Sequence, residues 1–248
     1  MQKTVIVVPC HNESRRLPVE EFSSFCIGHP GISFIFVNDG STDATHHSLA
    51  ELADACGPRA TAIDLARNVG KGGAVRRGIL AALEEQSPDV VGYLDADLAT
   101  PLPGILSLLD TLNSTGGCEM VMGSRVRLLG SRVQRTPHRH YLGRIFATTV
   151  SIMLKLPVYD TQCGAKLFTA RLAKRVFAEP FRCRWLFDVE ILARVLQYYG
   201  HARAGRMIHE VPLYEWSDKS GSKLTPGCAL MVPVDLLRIL VHVKMAGI

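Results

Sequence analysis

Five short runs of this 248-residue chain, residues 5–8, 33–37, 60–65, 90–94 and 120–123, read as strands with little polar alternation. Between them, residues 43–55, 72–85 and 102–113 carry apolar side chains at helical spacing. Strands that are apolar on both faces and separated by helices bury those faces best as a mostly parallel sheet with helices on either side. Sheets of that kind bind ligands beyond the carboxyl ends of their strands. The polar residues that follow each strand are therefore where the chemistry should lie.

Those strand ends are informative by what they lack as well as what they hold. The first ends in Pro9-Cys10-His11-Asn12-Glu13, with no G-x-G-x-x-G for a dinucleotide, and no G-x-x-x-x-G-K-[ST] phosphate loop occurs in the chain. The second ends in Asn38-Asp39-Gly40-Ser41-Thr42-Asp43, a turn sequence in which Asp43 or a neighbouring hydroxyl can cap the next helix. That leaves Asp39 free to accept a hydrogen bond from a ligand. After the third comes Arg67-Asn68-Val69-Gly70-Lys71-Gly72-Gly73, where glycines allow close backbone approach and Lys71 supplies a cation beside a helix start. The fourth ends in Asp95-Ala96-Asp97. Alternate residues of an extended chain point the same way, so both carboxylates can face one crevice. Such crowding is relieved by a divalent cation shared with phosphate oxygens.

Beyond residue 124 the rhythm changes to a turn-rich stretch, a helix over 141–154, a loop at 160–164, a helix over 186–199, a strand over 209–214 and a helical pattern over 228–245. No acidic residue falls between Glu119 and Asp160, whereas Arg125, Arg127, Arg132, Arg135, Arg139, Arg144 and Lys155 all do. That block suits phosphate, an anionic membrane surface or nucleic acid. Nucleic acid is disfavoured, because aromatics suited to base stacking are few there. The seven cysteines are widely spaced with no C-x-x-C pair, which argues against zinc and a disulfide framework and for a reducing, cytoplasmic setting. No signal peptide and no apolar stretch of transmembrane length is evident, so a soluble or peripheral protein is expected.

Taken in order, Pro9–Glu13, Asn38–Asp43, Asn68–Gly72 and Asp95-Ala96-Asp97 resemble the inverting family 2 glycosyltransferases with a GT-A fold. The resemblance continues through Gly123-Ser124-Arg125, Asp160-Thr161-Gln162-Cys163-Gly164, Trp185–Glu190 and Trp216 to Gly221-Ser222-Lys223. These later motifs are similar to the dolichyl-phosphate β-glucosyltransferase branch. Eukaryotic members of that branch start with a membrane helix, which this sequence does not show. The resemblance implies an α/β GT-A domain over residues 1–225, with 226–248 as a C-terminal amphipathic helix that is part of the same domain or touches a membrane.

It also implies roles. Pro9, His11, Glu13 and Asp39 would surround the base and ribose of a nucleotide sugar, UDP in preference to GDP, with His11 standing where the family often has Tyr. Lys71, Asp95 and Ala96 would complete the nucleoside pocket. Asp97, with Asp95 beside it, would hold Mg2+ or Mn2+. A polyprenyl phosphate acceptor would meet Arg125 with Arg139 or Arg144, together with Gln162 and Lys223. Asp188 is the base candidate if the acceptor is instead a soluble or protein hydroxyl. The reading from another class is a basic membrane-surface or nucleic-acid binding module.

Overall fold

The computed structural model describes residues 2–219 and 226–245, with side chains described throughout except over 137–140, 226–231 and 242–245. Strand β1 (Thr4–Cys10) leads through α1 (Val19–Gly28) to β2 (Ile32–Asn38), then α2 (Thr45–Cys56), β3 (Ala60–Asp64), α3 (Lys71–Ala81), β4 (Val90–Leu94), α4 (Pro103–Ser114) and β5 (Met120–Ser124). The second half runs β6 (Arg132–Gln134), α5 (Pro137–Leu154), β7 (Ala165–Thr169), α6 (Ala170–Val176), α7 (Phe187–Tyr199), α8 (His201–Met207), β8 (Ile208–Pro212), β9 (Glu215–Ser217) and α9 (Pro226–Met245).

The main sheet has the order β3-β2-β1-β4-β7-β5-β8. Its two faces are sealed separately, and the strand period of two assigns alternate residues to each. Val5, Val7, Val37 and Tyr93 join the core beneath α3 and α7. Ile6, Val8, Phe36 and Leu94 join the core beneath α1, α2 and α4. Both faces being buried explains why the strands show little polar alternation.

Strand β7 is antiparallel to both β4 and β5, whereas the other pairings of this sheet are parallel. Its reversed direction pairs Ala165 with Leu94, so the start of β7 lies at the carboxyl end of β4. The loop 160–164 is thereby delivered to the edge where the parallel strands end.

The expected strands and helices are present within a few residues of their anticipated bounds. Helix α1 has no counterpart in the sequence reading. Its Phe, Ser and Cys content carries little helix preference, and it is held by burial of Phe22, Phe25 and Cys26. The two-stranded sheet β6-β9 is also new, since three residues per strand are too few to show a period. Helix α9 packs on α5 and α7, with Ile239 in the core and Asp235 O accepting from Cys183 Sγ.

Candidate active site

Strand β1 pairs with β2 on one side and β4 on the other, so the strand order reverses there and opens a crevice at the carboxyl ends of β1 and β4. Pro9 lies near the end of β1, with His11 just beyond it, and Asp95 follows β4. Glu13 is buried and pairs with Arg16 at 2.8 Å.

Asp39 is buried and not free as expected. Its Oδ1 accepts from the Val69 N–H at 2.7 Å and its Oδ2 from the Gly70 N–H at 2.9 Å. Its carbonyl oxygen lies 2.9 Å from His11 Nδ1. The carboxylate therefore clips the glycine-rich loop in place, and Gly40, at φ +60°, allows the approach because a Cβ there would sit 2.5 Å from Arg67 C. Asp43 does not cap α2 as anticipated, because Ala44 occupies the N-cap position and no side-chain hydrogen bond caps that helix; it accepts from the Thr45 N–H at 3.0 Å and holds Ser14 Oγ at 2.7 Å.

The clipped loop presents Lys71, whose Nζ lies 2.5 Å from Asp95 Oδ1. Burial pushes the Lys71 amine down, but the Asp95, Asp188 and Asp97 carboxylates outweigh it and raise its pKa. Asp97 is half-buried and accepts from the Ala99 N–H at 3.1 Å. Its carboxyl is pushed up by burial and by the Asp95 and Glu13 charges. Ala96 between them is buried in the core. On the other side of Asp95 lies Gly164, where a Cβ would overlap the carboxylate.

Behind this pair is a buried ionic network. Lys166, fully enclosed on β7, donates to Asp188 Oδ1 at 2.5 Å and to Cys163 O at 2.6 Å. Asp188 in the first turn of α7 also accepts from Tyr93 OH. The Tyr93 phenol is pushed far up by burial and then by Asp188. Lys166 escaped the sequence reading; the available signal was a lysine inside the otherwise buried strand Ala165–Thr169.

Arg125 likewise differs from expectation. Its Nε and Nη2 each lie 2.6 Å from an Asp160 carboxylate oxygen, and its guanidinium carbon is 5.4 Å from the Trp216 ring centroid. The bidentate edge anticipated for a ligand phosphate is taken by Asp160. Asp160 also receives the Gln162 N–H at 3.2 Å, while Glu210 holds the Tyr159 and Asp160 N–H groups at 2.8 and 2.6 Å. The loop 160–164 is thus anchored at one end by Arg125 and Glu210 and at the other by Lys166. Gln162 Nε2 is buried without a hydrogen-bond partner. Arg144 is exposed, with its guanidinium 4.9 Å from the Tyr159 ring centroid. The Arg139 side chain and Lys223 lie outside the described residues.

Residues 5–177 match the family model for glycosyl transferase family 2. The chain belongs to that family. The dolichyl-phosphate beta-glucosyltransferase of Homo sapiens is 33% identical over 253 residues, covering 94% of this chain and 74% of the relative. Dolichyl-phosphate beta-glucosyltransferase ALG5C of Trichomonas vaginalis is 31% identical over 254 residues, covering 97% and 72%. Among solved structures, glucosyl-3-phosphoglycerate synthase from Mycobacterium tuberculosis, in complex with Mn2+, UDP-glucose and phosphoglyceric acid, superposes with a TM-score of 0.70 at 20% identity, over 96% of this chain and 80% of that one. That likeness shows the GT-A fold.

This glycosyltransferase has residues that fit a divalent cation. Two carboxylates share one strand end, and Asp97 is pushed up by burial and then by the neighbouring Asp95 charge, which a cation would offset. Among the described residues no group of three or more His, Cys, Asp or Glu could enclose a metal alone. One or two carboxylates, completed by phosphate oxygens, is the usual protein share of an Mg2+ site.

Proposed function

We propose that this glycosyltransferase transfers glucose or a related hexose from a UDP-sugar to a polyprenyl, dolichyl-type phosphate, with inversion and with Mg2+ or Mn2+. Pro9, His11, Glu13 and Asp39 would border the base and ribose, and Lys71, Asp95 and Ala96 would complete that pocket. A cation on Asp97, with Asp95 beside it, would offset charge on the departing diphosphate. An acceptor phosphate oxygen forms the new bond to the anomeric carbon while the bond to the UDP oxygen breaks, and no proton need move.

The observation that carries this reading is the state of Asp188. An acceptor hydroxyl would call on it as base, yet the side chain is buried and its Oδ1 is held by Lys166 and Tyr93. A phosphate nucleophile is already anionic and needs positioning rather than deprotonation. Gln162 Nε2, a buried donor with no partner, suits an anionic oxygen. The names of the relatives support the acceptor, and the Mn2+ and UDP-glucose bound by the structural neighbour support the donor and metal. Among the described residues no helix is long and apolar enough to cross a membrane, and the described cysteines are free and buried. A peripheral place on the cytoplasmic face of a membrane completes the proposal, since the proposed acceptor carries a lipid.

The test is direct. The protein is incubated with Mn2+ or Mg2+, UDP-glucose or GDP-mannose, and a short polyprenyl phosphate, and glycolipid is measured with Asp97→Asn alongside. UDP-dependent product that needs the metal and vanishes in the variant is expected. No glycolipid with either donor would end the acceptor proposal, and product surviving in Asp97→Asn would end the metal assignment.

A further inference from the structure

Helix α5 is apolar on two opposite sides. Ala147, Val150 and Leu154, at helical spacing, are buried against the core. Leu142, Ile145 and Ile152 follow the same spacing on the other side and are 64%, 66% and 74% exposed. Thr149 lies in the same row and is exposed too. A helix that is apolar all round is normally enclosed, and single exposed leucines need no explanation, but a row does.

The chain on either side of the row is cationic. Residues 120–159 contain no Asp or Glu. Arg144 is exposed on α5 itself, and Arg127, Arg132 and Lys155 are exposed on the segments flanking it. Leu129, in the loop ahead of β6, is fully exposed. Apolar side chains flanked in sequence by arginine and lysine, in a segment without acids, are the composition of a helix lying in a membrane interface. A second copy of the same face would set cation against cation, which disfavours a symmetric dimer here.

We propose that the outward face of α5 docks on an anionic lipid bilayer. The contact between Arg144 and Tyr159 joins α5 to the chain that leads into loop 160–164, so docking brings the Gln162 side of the site to the lipid surface. The proposal deepens the acceptor reading by naming the surface involved, and its geometry stands without that reading.

Flotation of the full chain with vesicles, in the absence of nucleotide, tests it. Phosphatidylcholine vesicles are compared with vesicles that also contain phosphatidylglycerol. The protein should float with the anionic vesicles and be released by salt. Ile145→Asp and Ile152→Asp should each lower partitioning by about tenfold, whereas Ile27→Asp, equally exposed on α1 at 67%, should not change it. Melting curves check that all variants fold. Failure of the wild type to float, or equal loss in the Ile27 variant, overturns the proposal. So does a wild-type dimer that the α5 variants dissociate without altering flotation. Transfer to a water-soluble short-chain prenyl phosphate separates the two readings. Its absence in a wild type that floats counts against the proposed function alone, and its retention in α5 variants that still float counts against docking alone.

Discussion

Gly164 lies so close to Asp95 that a Cβ there would overlap the carboxylate. With Lys71 on its other oxygen, Asp95 is fixed between a backbone and a cation. Gly164→Ala should therefore displace Asp95 while leaving the sheet intact. We expect turnover to fall by roughly a hundredfold, the scale of an ångström misplacement at a reacting centre, with a melting temperature close to wild type. Full turnover would show that the position of Asp95 is unimportant.

Lys166 and Asp188 form a buried ion pair, with side chains 0% and 5% exposed. Removing one partner strands the other charge, so Lys166→Met should cost about 3–5 kcal/mol of stability. Asp188→Asn together with Lys166→Met should cost less than the two singles summed, with a coupling of roughly 1–3 kcal/mol in urea denaturation. Simple additivity would refute a direct pairing.

The Arg125–Asp160 pair should stabilise the fold at neutrality and lose that contribution in acid. Burial would push the Asp160 carboxyl up, but the Arg125 guanidinium holds it below its ordinary 3.8. The unfolded chain then takes up the proton first as pH falls. The stabilisation is complete above about pH 4 and is lost as pH drops through the folded value. The stability gap between wild type and Asp160→Asn should be flat near neutrality and shrink on acidification. A gap that widens toward acid has the wrong sign.

Asp39 accepts one backbone N–H on each carboxylate oxygen, and an amide would set an NH2 donor against one of them. Asp39→Asn should cost about 1–3 kcal/mol and weaken UDP binding measured by titration calorimetry, because the loop it clips carries Lys71. An unchanged melting curve would mean the clip contributes little.

The residues of the candidate site were legible before their partners were. Asp95, Asp97 and His11 follow strand ends and Lys71 opens α3, and such boundaries are set by apolar runs that a sequence displays openly. Arg125 and Asp39 were expected to be free for a ligand, yet both are engaged within the chain. The sequence marks a charge without telling whether a distant carboxylate or backbone amide already satisfies it. Asp160 is 35 residues from Arg125, and Val69 is 30 from Asp39.

The sequence by itself determined the layered α/β architecture, the family and the sheet edge that carries the candidate site. These depend on local periodicity and on motifs contiguous in the chain. Only the tertiary structure decided that β7 runs antiparallel, and with it that Gly164, Lys166 and loop 160–164 close one side of Asp95. Strand direction depends on how a long connection packs across the sheet edge, a non-local balance of burial that no short window of residues records. The same holds for α5, whose outward row is conspicuous only once its inward row is seen to be buried.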